Sequence, residues 1–304
     1  MNLQFVADGL LAGAMIGLGA IGVTLTYSIL RFANFAHASM AVVGAYLGYL
    51  FNVTLGAPLY LAFAVAALIM GGAGVLVDAG IFRIMRNTGD LTPMIGSLGL
   101  SLAIQYSVQA IWGPQFLRYH YEIQKGLSFL GARITAPQIG IIATVTVAML
   151  CFHGLLKFTR IGKAMRATAT NVELAQACSI DTNRVIRVVW FVGTAFAGLG
   201  GTFIAWDTQL DPYFGFNLII PVFCVVLIGG IGSVYGAIIG ALIVGFAENV
   251  GINLNWAPLL GLLGLGDGEG NLSLPAAYKP GVAYMAVIIL LLLRPSGLTR
   301  RELV

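Results

Sequence analysis

GLLAGAMIGLGAIGVTLTYSIL, residues 9–30, runs for 22 residues without a charged side chain. As an α-helix rising about 1.5 Å per residue, such a run crosses the roughly 30 Å hydrocarbon core of a bilayer. No Lys or Arg precedes Arg31, so the basic n-region of a cleavable signal peptide is missing and the run is expected to stay in the mature protein.

The rest of the chain repeats this pattern. Of 304 residues, 59% are hydrophobic and 9% charged, with a mean hydropathy of +0.92; soluble domains carry about 25% charged residues. A water-facing surface cannot be built from so few charges. Apolar runs of helical-span length also exclude a β-barrel, whose segments are about ten residues long and alternate. The 40 glycines suit helices packed backbone to backbone. Cys151, Cys178 and Cys224 are odd in number and far apart, which gives neither a disulfide framework nor a metal site.

Nine spans are expected, near 9–30, 37–53, 58–82, 93–112, 138–157, 188–206, 217–230, 235–253 and 279–294. The second and seventh are short, and a re-entrant segment at either gives eight or ten. With residues 157–187 placed in the cytoplasm, only Arg118, Lys125, Arg133 and Lys279 of the 16 Lys and Arg fall outside. The positive-inside rule then puts the N-terminus out and the C-terminus in. The chain reads as one all-α membrane domain over 1–304. Its outer loops, 113–137 and 254–278, have room for short surface helices, and Trp112, Trp206 and Trp256 fall near outer span ends, as interfacial aromatics do.

The basic loop KFTRIGKAMRATATNVELAQACSIDTNRVIR, residues 157–187, carries six basic residues against Glu173 and Asp181. Its Lys157–Arg166 edge can reach anionic headgroups. Thr170 and Glu173 stand at capping-box spacing, which predicts a short helix from Asn171 to Cys178, and Asp181 can cap the next span. A topogenic loop and a docking helix for a cytoplasmic partner both fit; the length and internal capping favour docking.

Between the first two spans, RFANFAHASM (31–40) brings Asn34 and His37 to the start of a short span. There an unpaired polar group in lipid costs several kcal/mol, so both must face protein or a water-filled cavity, or cap helix ends. In the C-terminal half, IGGIGSVYGAIIGA (228–241) repeats Gly232, Gly236 and Gly240 every four residues, a face for close helix contact, while Gly229 and Gly230 permit a tight turn. Glycine-broken short segments in both halves point to a transport pathway, with Asn34, His37, Gly229, Gly230 and Gly232 as its candidates. Asp78 and Glu248 lie within or at the edge of spans and read as structural. No catalytic pattern is present: Gly162-Lys163 is followed by Ala164 without the upstream glycine of a P-loop, and the three histidines are scattered.

Several segments together resemble one family, the LivH-like permease subunits of bacterial importers for branched-chain amino acids, of the ATP-binding-cassette (ABC) class. They are YSILRFANFAHASMAVVGAY (27–46), TRIGKAMRATA (159–169), ACSID (177–181), LIGGIGSVYGAIIGAL (227–242) and LLLLRPSGL (290–298). Ala38 and Ser179 stand where the family often has glycine, and Lys163 where arginine is common. The resemblance implies a multi-pass subunit of the bacterial inner membrane. Its partners would be a homologous LivM-like permease, two cytoplasmic ABC ATPases and a periplasmic substrate-binding protein, with lipid around it and no nucleic acid. ATP and magnesium would be bound by the ATPases, this chain holding no cofactor or metal and catalysing nothing. Gly162, Lys163, Arg166, Ala167 and Glu173 match the family's coupling segment. Related permeases carry urea, short amides or other small amino acids, and an ion-coupled secondary transporter is the rival from a different class.

Overall fold

The computed structural model describes residues 3–86, 88–121, 126–129, 132–258, 275, 278–294 and 297–299. The chain is a bundle of apolar helices. α1 (Leu3–Leu30) and α9 (Thr182–Asp207) form its centre: α1 packs on α11 (Val234–Asn253), α9 and α10 (Phe214–Gly229), and α9 also meets α2 (Ala36–Tyr49) and α3 (Leu59–Val77). α2 runs on into a π-helical turn, Leu50–Thr54. α3 does the same through Asp78–Phe82 to the short α4 (Arg83–Met85). α5 (Leu91–Trp112), α6 (Ala136–Phe158) and α12 (Lys279–Leu293) lie at the periphery and turn Leu98, Leu102, Val147, Leu150, Ile289 and Leu292 outward. Such exposed apolar side chains suit lipid or a second apolar chain, not water.

Six described helices are long and apolar enough to cross a membrane, and Phe214–Gly229 and Lys279–Leu293 are shorter apolar helices. The chain is therefore a polytopic helical membrane protein. A described helix occupies each of the nine expected segments.

The glycines act where helix backbones meet. Gly44 of α2 lies against the backbone of Gly198 in α9, and a Cβ on Gly201 would run into the carbonyl of Ala41. A backbone atom cannot rotate away, so Gly201→Ala is expected to destabilise by about 1–3 kcal/mol. Gly72→Ala is its control, since nothing lies within 4 Å of that position. Thermal unfolding in detergent should show a lower midpoint for the first variant alone.

The loop 113–137 differs from expectation. Instead of a surface helix it forms a two-stranded antiparallel ladder, β1 (Leu127–Phe129) with β2 (Ala132–Ile134), Leu127 opposite Ile134. The preceding stretch docks on the bundle. Leu117 and Leu210 exchange backbone hydrogen bonds of 3.1 and 2.9 Å, and the Tyr119 hydroxyl donates to the Ala45 carbonyl at 2.9 Å. Burial, with Tyr46 nearby, holds the Tyr119 phenol well above its usual pKa of 10, so it remains a donor at physiological pH. Trp206 is not an interfacial aromatic: it is buried in the cluster that holds Tyr119, edge-on to Phe63 at 5.6 Å. Most of the other loop expected outside, 254–278, lies beyond the described residues, at 259–274 and 276–277.

Candidate functional site

α1 ends at Leu30, and Arg31 takes a left-handed backbone, φ 61°. The chain then turns back into the bundle. The His37 ring lies against Gly22, where a Cβ would collide with the imidazole and with the Gly193 carbonyl of α9. Gly22 is eight residues before the end of α1, about 12 Å along a helix. Residues 31–35 therefore descend as irregular backbone from the end of α1 towards that depth, tolerated only where protein or a cavity satisfies it. α5 supplies much of that satisfaction. The Phe35 amide donates to Ser97 Oγ at 3.0 Å, and Ser39 and Ser101 hydroxyls share a bond of 2.6 Å. Phe35 packs on Phe223 of α10, ring centroids 4.8 Å apart.

Asn34 and His37 are each 1% exposed, yet neither the Asn34 amide nor either imidazole nitrogen has a hydrogen-bond partner among the described residues. The Trp190 indole N–H, one helical turn from Gly193 on α9, is in the same condition. Unsatisfied buried polar groups cost about 1–3 kcal/mol each. Of the two roles open to Asn34 and His37, capping a helix end finds no hydrogen bond here: α2 starts without a side-chain cap.

The basic loop is the second zone. α7 (Arg160–Thr170) and α8 (Val172–Ala177) follow α6 almost without a break. Met165 is fully buried in a cluster with Phe152, Leu156, Val189 and Trp190, which fixes the loop to the bundle. Thr159 Oγ1 accepts from the Gly162 amide at 3.0 Å, and a Cβ on Gly162 would strike the Leu155 and Leu156 carbonyls. Arg166 donates to the Leu156 carbonyl at the end of α6, and Arg31 donates to the Ala169 carbonyl at 2.8 Å. Gly162 and Arg166 are thus framing residues. Lys163, Ala167 and Glu173 are exposed, and beside Glu173 the apolar Leu174 is 62% exposed.

Two details of this loop depart from expectation. Thr170 ends α7 and returns its hydroxyl to the Arg166 carbonyl, so the cap of α8 comes from Asn171, whose side chain accepts from the Leu174 amide at 3.0 Å. Ser179 adopts φ 62°, left-handed backbone that favours glycine, where the resembled family often has it. Asp181 caps α9 as expected, accepting from the Arg184 amide at 3.0 Å.

The glycine turn 229–232 lies between α10 and α11. Gly230 and Gly232 have φ of 99° and 91°, and Gly236 and Gly240 approach the α10 backbone at Gly229 and Val225. Gly232 itself sits in the turn, before α11, and is not on the helix face. Closest to these glycines are Gly236, Thr299 and Ser28; neither Asn34 nor His37 is among their nearest neighbours. The Gly229 carbonyl accepts from Thr299, which ties the turn to the C-terminal segment. Asp78 is structural, bound by Arg86 at 2.5 and 2.6 Å. Glu248 is 6% exposed, more deeply enclosed than its place near a span end suggests. Among the described residues, no group of three or more His, Cys, Asp or Glu is placed to hold a metal.

Irregular backbone with buried unpartnered polar groups inside an apolar bundle, beside a rigid helical loop at one end, is the construction of a membrane permease. The chain belongs to the family described as "Branched-chain amino acid transport system / permease component", which matches residues 5–293. It is 29% identical over 314 residues to the "High-affinity branched-chain amino acid transport system permease protein LivH" of Escherichia coli (strain K12), covering 98% of this chain and 96% of that protein. BraD of Pseudomonas aeruginosa, with the same description, is 28% identical over 317 residues, at 98% and 96% coverage. The "Probable branched-chain amino acid transport permease protein LivH" of Methanocaldococcus jannaschii is 27% identical over 295 residues, covering 94% of this chain and 88% of its own length.

Proposed function

We propose that this chain is a membrane-spanning permease subunit of an ATP-driven importer for branched-chain or other hydrophobic amino acids, with nine spans, its N-terminus outside and its C-terminus in the cytoplasm of a bacterial inner membrane. The observation that carries the reading is the family match over residues 5–293. The chain forms half of the translocation pathway with a homologous LivM-like permease. A periplasmic binding protein delivers cargo, and two cytoplasmic ATPases hold ATP and magnesium and perform the hydrolysis. One ATPase docks on the 157–187 loop. Lys163, Ala167 and Glu173 face it there, while Gly162 and Arg166 hold the loop rigid.

Alternating access follows. Closure of the ATPases moves α7 and α8 as a handle, and the segments around Asn34 to Tyr46 and Gly229 to Gly240 re-pack against the second permease. The walls are mostly apolar, as an aliphatic cargo needs, and selection among branched-chain amino acids, urea or short amides rests with the binding protein. The tagged chain, extracted in mild detergent, is expected to bring down both an ATPase and the second permease. Recovery of the chain alone, or uptake that collapses with an ion gradient while ATP is intact, overturns the assignment in favour of a secondary transporter.

A further inference from the structure

A polar cavity of about 340 Å³ opens at the foot of the α3–α9 pair, at the same end of the bundle as the basic loop; Asp78, Arg83, Arg86, Asp181, Asn183 and Arg187 line it. Of its two carboxylates one is ion-paired and the other caps a helix. Asp78 is taken by Arg86, whose other terminal nitrogen reaches Asn183 Oδ1 at 3.3 Å, and Asp181 Oδ1 caps α9. Arg83 and Arg187 are exposed, and neither has a hydrogen bond or ion pair among the described residues. The lining thus carries three guanidinium groups against two carboxylates, a net charge of +1, and the Arg83 and Arg187 side chains are unpaired among the described residues.

The surface beside the cavity is apolar. The π-helical turn Asp78–Phe82 changes the winding of α3 just above Arg83, so that Leu76, Ala79, Gly80, Arg83 and Ile84 form one continuous exposed stripe. Nothing lies within 4 Å of Gly80, and Leu76 and Ile84 are 74% and 75% exposed. A free phosphate has no use for such a stripe, whereas a lipid carries its phosphate on acyl chains that need one. Guanidinium forks match phosphate oxygens, and basic pockets between helices at a membrane face hold anionic headgroups.

We propose that the cavity bordered by Arg83 and Arg187 is a binding site for the phosphate of an anionic phospholipid, whose acyl chains run along the Leu76–Ile84 stripe.

Native mass spectrometry of the detergent-purified assembly, titrated with phosphatidylglycerol or phosphatidylcholine, tests this. Wild type should retain phosphatidylglycerol preferentially. The double variant Arg83→Gln/Arg187→Gln should bind it about 30-fold more weakly, from two basic contacts of ordinary strength. Arg118→Gln/Arg133→Gln, which removes the same charge from the loop 113–137 away from the cavity, should change it less than about twofold if the site is local. Unchanged retention in the first variant, an equal loss in the second, or displacement of the lipid by inorganic phosphate each overturns the lipid site. A photoactivatable phosphatidylglycerol on the unaltered protein gives an independent reading: crosslinks within residues 76–84 support the site, and crosslinks only elsewhere overturn it.

Discussion

Exchange of Leu174 for aspartate is expected to release the ATPase from the purified assembly and to reduce ATP-driven uptake about 30-fold, since loss of an interface anchor costs about 2 kcal/mol or more. Leu174 is 62% exposed on a six-residue helix whose neighbour Ala175 is buried. A water-facing leucine gains nothing by staying there, whereas an apolar groove on a partner would bury it. The thermal midpoint of the permease should not move, because the side chain makes little contact with its own chain. Arg166→Ala should behave differently. It removes the donor on the Leu156 carbonyl at the end of α6, so lost uptake should come with a lower midpoint. Uptake in membrane vesicles and unfolding in detergent, read on both variants, separate docking from framing. Full uptake by Leu174→Asp would remove α8 from the coupling interface.

The second large effect concerns Asn34. Its replacement by leucine, similar in size, is expected to raise the thermal midpoint while lowering uptake at least tenfold. Stability should improve because two buried polar atoms without protein partners disappear, at about 1–3 kcal/mol for each unsatisfied group. Transport should fall because a polar side chain kept at that cost inside an irregular, membrane-deep segment belongs to the conducting route. His37→Leu should follow the same pattern. A variant that is less stable and transports normally would give both residues a packing role only.

Much of this architecture was legible in the sequence, because charge-free runs must become helices in lipid and Lys and Arg mark their ends. The Asp181 cap was legible too, being local. The cap on α8 was misread for an equally local reason: Thr170 and Asn171 both precede the helix, but Thr170 still belongs to α7, so its hydroxyl faces the previous turn. Asp78 with Arg86 needed the π-helical turn between them, which leaves no pattern in the residues. The ladder at 127–134 lacks strong alternation, and Trp206 at a span end looks interfacial until Phe63, Tyr60 and Tyr121 pack edge-on against it. Ser97 beneath Phe35 and Arg31 on Ala169 join residues 62 and 138 positions apart. No single-chain periodicity reports such pairs.

The bond from Arg31 to the Ala169 carbonyl has a mechanical meaning. Arg31 opens the irregular segment that descends into the bundle and lies three positions before Asn34, while Ala169 is in the last turn of α7. While the bond holds, the two zones have no slack between them: a shift of the loop along its axis pulls on the segment that carries Asn34 and His37. If ATPase closure moves the loop as proposed, this one short tether acts as a gear, and the stroke at the loop and the rearrangement deep in the bundle share a single coordinate.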